Sequence, residues 1–266
     1  MKRFKDKVVV ITGAGSGIGQ QLALEFAQAG AKLALNDYNK EGLEETVKLL
    51  GTSATVFKEV FDVSKKEAVY GFAEAVMEHY GRVDVVINNA GVLILGKRAD
   101  EISIEDYEWI MGINVWGVMY GSLAFLPHLR KQKESSLVNI SSLFGLIGVP
   151  NQAPYCTTKF AVRGFSESMY LEEQINNTGV TVSCVHPGGF STNIAKSARG
   201  NTAELMEQAG KELKGSPNKA ARLIIKGIQK KKSRILVGAD ARGIHTANQV
   251  ARPLLQRLIK RYVKKD

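Results

Sequence analysis

The chain has 266 residues, 44% hydrophobic and 23% charged, which suits one large α/β domain and argues against a disordered or fibrous protein. No run approaches the roughly 20 apolar residues of a membrane span, the basic N-terminus lacks the apolar core of a secretory leader, and the two cysteines, Cys156 and Cys184, show neither metal spacing nor a disulfide framework. Charge is uneven: residues 211–266 hold 16 Lys and Arg against 3 Asp and Glu, while residues 1–210 hold 20 against 23.

Short β-branched runs alternate with helical patterns in chain order. Strands are expected at 7–12, 32–36, 55–60, 83–88, 137–141, 181–186 and 234–237. Helices are expected near 17–29, 40–50, 65–80, 103–132, 153–177 and 217–231, the last opened by Ser216 and Pro217. Strands separated by helix-length segments imply crossovers and a largely parallel sheet covered on both faces. Residues 190–215, punctuated by Gly200, Gly210 and Gly215, read as an irregular insertion.

Three places carry chemistry. The first strand runs through Thr12-Gly-Ala-Gly-Ser-Gly-Ile-Gly19 into a helix. Glycines there let backbone approach a pyrophosphate, and the helix start supplies free N–H donors and a positive dipole end. Asp37 follows the second strand, 18 residues beyond Gly19. An acid there can accept from ribose hydroxyls and repels a 2′-phosphate, and Tyr38 offers no cation to hold one, so NAD is expected over NADP. The third is Tyr155-x-x-x-Lys159, whose spacing puts a phenol and an ammonium on one helix face. The cation favours phenolate and so makes Tyr155 a usable acid and base. Ser142 ends the fifth strand 13 residues earlier, with Ser141 as its competitor on the opposite face. Asn114 lies inside an expected helix, a costly place for an amide without a partner. Cys156, beside Tyr155, reads as a small buried filler.

Together the glycine turn, Asn88-Asn-Ala-Gly91, Asn114, Ser142, Tyr155-x-x-x-Lys159 and Pro187-Gly188 resemble the short-chain dehydrogenase/reductase superfamily over about residues 5–240. The resemblance implies a Rossmann-type, doubly wound, three-layer α/β fold with a seven-stranded parallel sheet, assembled as a dimer or homotetramer. It implies an oxidoreductase acting on CH–OH groups. Tyr155 is then the acid/base, Lys159 lowers its pKa, Ser142 holds the substrate oxygen, and Asn114 supports a proton relay. Cofactor contacts are implied for Gly13, Ser16, Gly17, Ile18, Gly19, Asp37, Asp62, Val63, Asn89, Ala90, Gly91, Pro187, Gly188 and Thr192, besides Tyr155 and Lys159.

Apolar segments at 92–95 and 143–149 favour a hydrophobic secondary alcohol or its ketone as substrate. Lys196 and Arg199 in the 190–215 lid are candidates to hold an anionic group. The alternatives are an NADP-preferring ketone or 3-oxoacyl reductase, and a non-catalytic NAD-binding sensor or scaffold. Residues 1–240 thus read as one nucleotide-binding domain and 241–266 as a basic amphipathic extension. That extension suits subunit packing or peripheral contact with an anionic membrane, and lacks the aromatic platform of a nucleic-acid binder. A cytoplasmic location is the default expectation.

Overall fold

A computed structural model describes residues 4–190, 194, 198–200 and 215–263, with the side chains of 261–263 left aside. Seven strands form one parallel sheet in the order β3-β2-β1-β4-β5-β6-β7. They are β1 (Val8–Thr12), β2 (Lys32–Asp37), β3 (Val56–Val60), β4 (Val85–Asn88), β5 (Ser135–Ile140), β6 (Val180–Pro187) and β7 (Arg234–Val237). The helices are α1 (Gly17–Gln28), α2 (Lys40–Leu50), α3 (Lys66–Tyr80), α4 (Ile104–Met111), α5 (Gly117–Leu129), α6 (Ala153–Ile175), α7 (Pro217–Gln229), α8 (Ala239–Val250) and α9 (Arg252–Val263).

Strand alternation explains the layers. Val9 and Ile11 of β1 turn to one face, where they join Leu22 and Phe26 of α1, Leu43 of α2 and Ile224 of α7. Val8 and Val10 turn to the other, with Val69 and Phe72 of α3, Phe125 of α5 and Met169 of α6. Both faces of the sheet are therefore buried, as a parallel sheet requires. Strand order reverses between β1 and β4, which opens a crevice at the carboxyl edge between the two halves.

The single helix expected over 103–132 is instead three pieces. A π-helical turn, Gly112–Trp116, separates α4 from α5 and contains Asn114. Such turns add one residue without changing helical composition, so periodicity does not reveal them. By length and composition the joined segment Ile104–Leu129 is long and apolar enough to cross a bilayer, which corrects the expectation of no such stretch. Here it is a core helix, with Ile110, Val118, Phe125 and Leu129 buried.

A buried polar chain ties the crevice elements together. Asn88 of β4 donates to Ser122 Oγ (3.1 Å) and to Asn139 Oδ1 (2.9 Å), and Asn139 of β5 donates to Ser166 Oγ on α6 (3.0 Å). Asn88 Oδ1 is left without a partner, but the remaining bonds fix one packing, and breaking them would strand further buried members. Asn139→Leu should therefore cost about 2–4 kcal/mol in urea unfolding; a loss within experimental error would show that the network adds little.

Candidate active site

The glycine turn is shaped by close backbone approach. A Cβ on Gly19 would lie 2.0 Å from the Gly13 carbonyl oxygen, so any side chain there would force the turn open. Gly13 and Gly17 also hold positive φ, 66° and 56°. Ser16 is the N-cap of α1 and makes no capping hydrogen bond, which leaves its hydroxyl and the first N–H groups of α1, that of half-buried Ile18 among them, free for an anion. Thr12 fastens the turn to β4: its Oγ1 accepts from the N–H groups of Asn89 (3.1 Å) and Ala90 (3.2 Å). The Asn89 amide in turn donates to the carbonyls of Thr12 (3.0 Å) and Gly13 (2.9 Å). Its side chain and its backbone N–H both brace the turn, then.

Asp37 ends β2, with Oδ2 accepting from Gly15 N–H (2.7 Å) and Oδ1 from Asn39 N–H (2.8 Å). Each oxygen keeps a lone pair, so the carboxylate is oriented against the turn and still able to accept. The helix cap belongs to Asn39, not to Asp37. Past β3, Asp62 accepts from Ser64 N–H (2.9 Å), and Val63 packs where a side chain on Gly117 would stand.

On the other side of the crevice Tyr155 and Lys159 lie on α6, both buried, at 9% and 2% exposure. Lys159 Nζ donates to the Ile140 carbonyl (3.0 Å) and sits 5.5 Å from the centre of the Tyr155 ring. A Cβ on Gly91 would meet both Asn114 Oδ1 (3.3 Å) and Lys159 Nζ (3.4 Å), so these three residues converge. The Asn114 side chain exchanges hydrogen bonds with the backbone of Val92 (2.8 Å each way) and donates to Thr158 Oγ1 (3.1 Å). That pairing anchors the segment after Gly91.

The two serines divide as strand alternation requires. Ser141 Oγ donates to the Lys159 carbonyl (2.8 Å) and is committed to α6. Ser142 Oγ accepts from Phe144 N–H (3.2 Å), which leaves its own proton free to donate towards Tyr155 and a bound oxygen. His186, at the end of β6, donates from Nδ1 to the Ser142 carbonyl (2.9 Å) and is fully buried. Burial draws its imidazole down to about 4, so it is a neutral strut and not an acid/base.

Burial also governs the reacting pair. It pushes the Tyr155 phenol up to about 12, with the Ser142 hydroxyl pulling the other way, and it draws the Lys159 ammonium down to about 8. The phenol is therefore raised, where the expectation had Lys159 lowering it: desolvation by burial dominates, and the contact that lowers it is Ser142.

Pro187 is the last residue of β6, and Gly188 donates to the Val237 carbonyl (2.9 Å). Asp240, near the start of α8, accepts from Gly189 N–H (2.7 Å), and a Cβ on Gly188 would lie 2.0 Å from that carboxylate. Further along α8, Asn248 donates to the Leu146 carbonyl (2.9 Å). Sequence reading missed Thr12, Asp240 and Asn248 as supports. Only a strand-end Thr and an acid at a helix start signalled the first two. Thr192 and Lys196 lie outside the described residues. Arg199 is already engaged, by Asp106 (2.8 Å) and by stacking on Trp109 (4.0 Å), so it does not serve as a free anion site. Tyr155 itself packs in an apolar cluster with Ile94, Ile102 and Ile110, bordered by Val92, Leu93, Phe144 and Ile194.

The short chain dehydrogenase family matches residues 7–203 of the chain. SadH of Mycobacterium tuberculosis is 41% identical over 265 residues, covering 97% of this chain and 96% of SadH. A short-chain dehydrogenase/reductase of Burkholderia phymatum, solved in complex with NAD, superposes with a TM-score of 0.87 at 30% identity, covering 96% and 97% of the two chains. An alcohol dehydrogenase of Thermococcus sibiricus, solved with 5-hydroxy-NADP, superposes at 0.74 and 30% identity over 87% and 96%. The chain belongs to the short-chain dehydrogenase/reductase family and is an oxidoreductase of the class that acts on CH–OH groups.

The buried lysine yields a test. Its penalty is fully present below about pH 8, where the folded state must still hold the charge, and fades as pH rises towards the unfolded value near 10.5. Lys159→Met should raise Tm at pH 7 by about 3 °C or more, with the gain shrinking above pH 8. A lower Tm at neutral pH would mean that the ammonium stabilises the fold.

Proposed function

We propose that the protein interconverts a hydrophobic secondary alcohol and its ketone, with NAD as hydride carrier. One observation carries this reading. A phenol, a lysine and a serine hydroxyl meet at the glycine-turn edge of the sheet, inside an apolar cluster. The cradle fits a dinucleotide: bare N–H groups at α1, no Cβ at Gly13 or Gly19, and Asp37 where the adenosine ribose belongs. Backbone at Ala90 and Gly91, with Pro187 and Gly188 opposite, would flank the nicotinamide half, and Asp62 and Val63 the adenine. Bound NAD supplies the carbon that accepts or returns hydride and, when oxidised, a positive charge beside Tyr155.

The chain's residues then handle the oxygen and the proton. Ser142 donates to the substrate oxygen and stabilises charge developing there. Tyr155 takes the hydroxyl proton during oxidation and returns it during reduction. Lys159, with a pKa of about 8, exchanges protons near neutral pH and would also hold the nicotinamide ribose. Asn114, fixed at the π turn, keeps the path beside Lys159 open for a relay. The apolar walls at Val92–Leu95 and Leu143–Val149 favour a substrate whose polar handle is the reacting oxygen alone.

Asp37 supports NAD over NADP, because its carboxylate repels a 2′-phosphate and the neighbouring Tyr38 is exposed without a cation. Solved relatives hold either cofactor, so the choice rests on this residue. Exposed Trp116 of the π turn and Leu123 of α5, with Phe160, Leu171 and Ile175 on α6, support assembly as a dimer or tetramer.

A panel of alcohols and ketones with NAD and NADP, followed at the nicotinamide absorbance, tests the proposal. Tyr155→Phe should lower turnover by roughly a thousandfold or more while NADH binding persists; wild-type rates in that variant would refute the mechanism. Asp37→Ser combined with Tyr38→Arg should shift the kcat/KM ratio towards NADP by about tenfold or more, and an unchanged ratio would remove Asp37 as the selector.

A further inference from the structure

Between Asp240 and Asp266 the chain has seven Lys or Arg and no acidic residue, whereas residues 1–210 are mildly acidic. The structure describes this segment as far as Val263. α8 is fastened to the body at both ends, by Asp240 to Gly189 and by Asn248 to Leu146 of the apolar substrate wall. The helix breaks at Ala251 (φ −143°, ψ 42°), and α9 follows. On α9, Leu255 and Ile259 are half-buried, while Leu254 (57% exposed) and Leu258 (52%) stand out one turn apart, continuing from Val250 (79%). Arg252, Arg257 and Lys260 are exposed around this row.

We propose that α9 docks on the surface of an anionic lipid bilayer, sinking Leu254 and Leu258 between headgroups while its cations contact lipid phosphates. The composition is that of a helix lying in a membrane interface: one apolar stripe, a basic remainder, and low net hydrophobicity. Each cation near such a surface adds about 1 kcal/mol. A second copy of the chain suits the face poorly, since a two-fold contact would set one basic helix against another. Because α8 is tied to Leu146, the docked face lies on the same extension that braces the substrate wall. A substrate with a hydrophobic body then reaches the site from the phase in which it dissolves.

The test uses the full-length chain, sedimented with phosphatidylcholine vesicles and with vesicles also containing phosphatidylglycerol, at low and high salt. Pelleting with the anionic vesicles alone, weakened by salt, is the expected result. Arg257→Glu with Lys260→Glu, and separately Leu254→Ser with Leu258→Ser, should each lower binding roughly tenfold or more. All four side chains are exposed, so circular dichroism should show an unchanged fold. Wild-type chain left in the supernatant with both vesicle types would overturn the proposal, as would pairs of variants that pellet like wild type. Loss of a chain oligomer in the Leu254→Ser, Leu258→Ser variant, without vesicle binding by the wild type, would overturn it in favour of a subunit contact. None of these outcomes depends on the substrate or on catalysis.

Discussion

Desolvation of two titratable side chains one helical turn apart is the constraint around which this molecule is arranged. Tyr155 and Lys159 lie almost wholly out of water, and burial moves each towards its neutral form. A phenol near 12 and an ammonium near 8 are held within one crevice, with Ser142 the nearest acidifying partner. A bound cation or a developing oxyanion would act strongly there, because little solvent screens it. The unfavourable burial of Lys159 is what makes the site responsive, and the surrounding fold must be stable enough to carry it.

The parallel sheet supplies that stability and the placement. All seven strands deliver their carboxyl ends to one edge, so residues distant in sequence arrive together. Thr12 and Asn89 lock the glycine turn to β4, Asn114 locks the segment after Gly91 to α6 through Thr158, and His186 locks Ser142 to β6. Each lock is a buried or half-buried side chain bonded to backbone or hydroxyl, so the loops of the site rest on rigid supports. α8 adds a last brace from beyond the sheet, through Asp240 and Asn248.

Much of this was legible from sequence. Strand and helix alternation carries the doubly wound sheet, because β-branched runs of five or six residues between amphipathic segments have few other solutions. The glycine turn and the Tyr155–Lys159 spacing were legible because they are local. The π turn at Gly112–Trp116 was not, since one inserted residue leaves the apolar pattern almost unchanged. Asp240 was missed because its partner, Gly189, lies 51 residues away. The direction of the Tyr155 shift was misread for a different reason. Spacing announces the nearby lysine, whereas the depth of burial that raises the phenol emerges only from packing.

The central claim is that this edge of the sheet moves a hydride while Tyr155 moves the proton. Its most direct measurement uses a secondary alcohol turned over by the protein, deuterated at the carbinol carbon, in ordinary water with NAD. The account predicts that the deuterium appears on the reduced nicotinamide and that the chemical step slows accordingly. Deuterium released to solvent, with none on the nicotinamide, would contradict it.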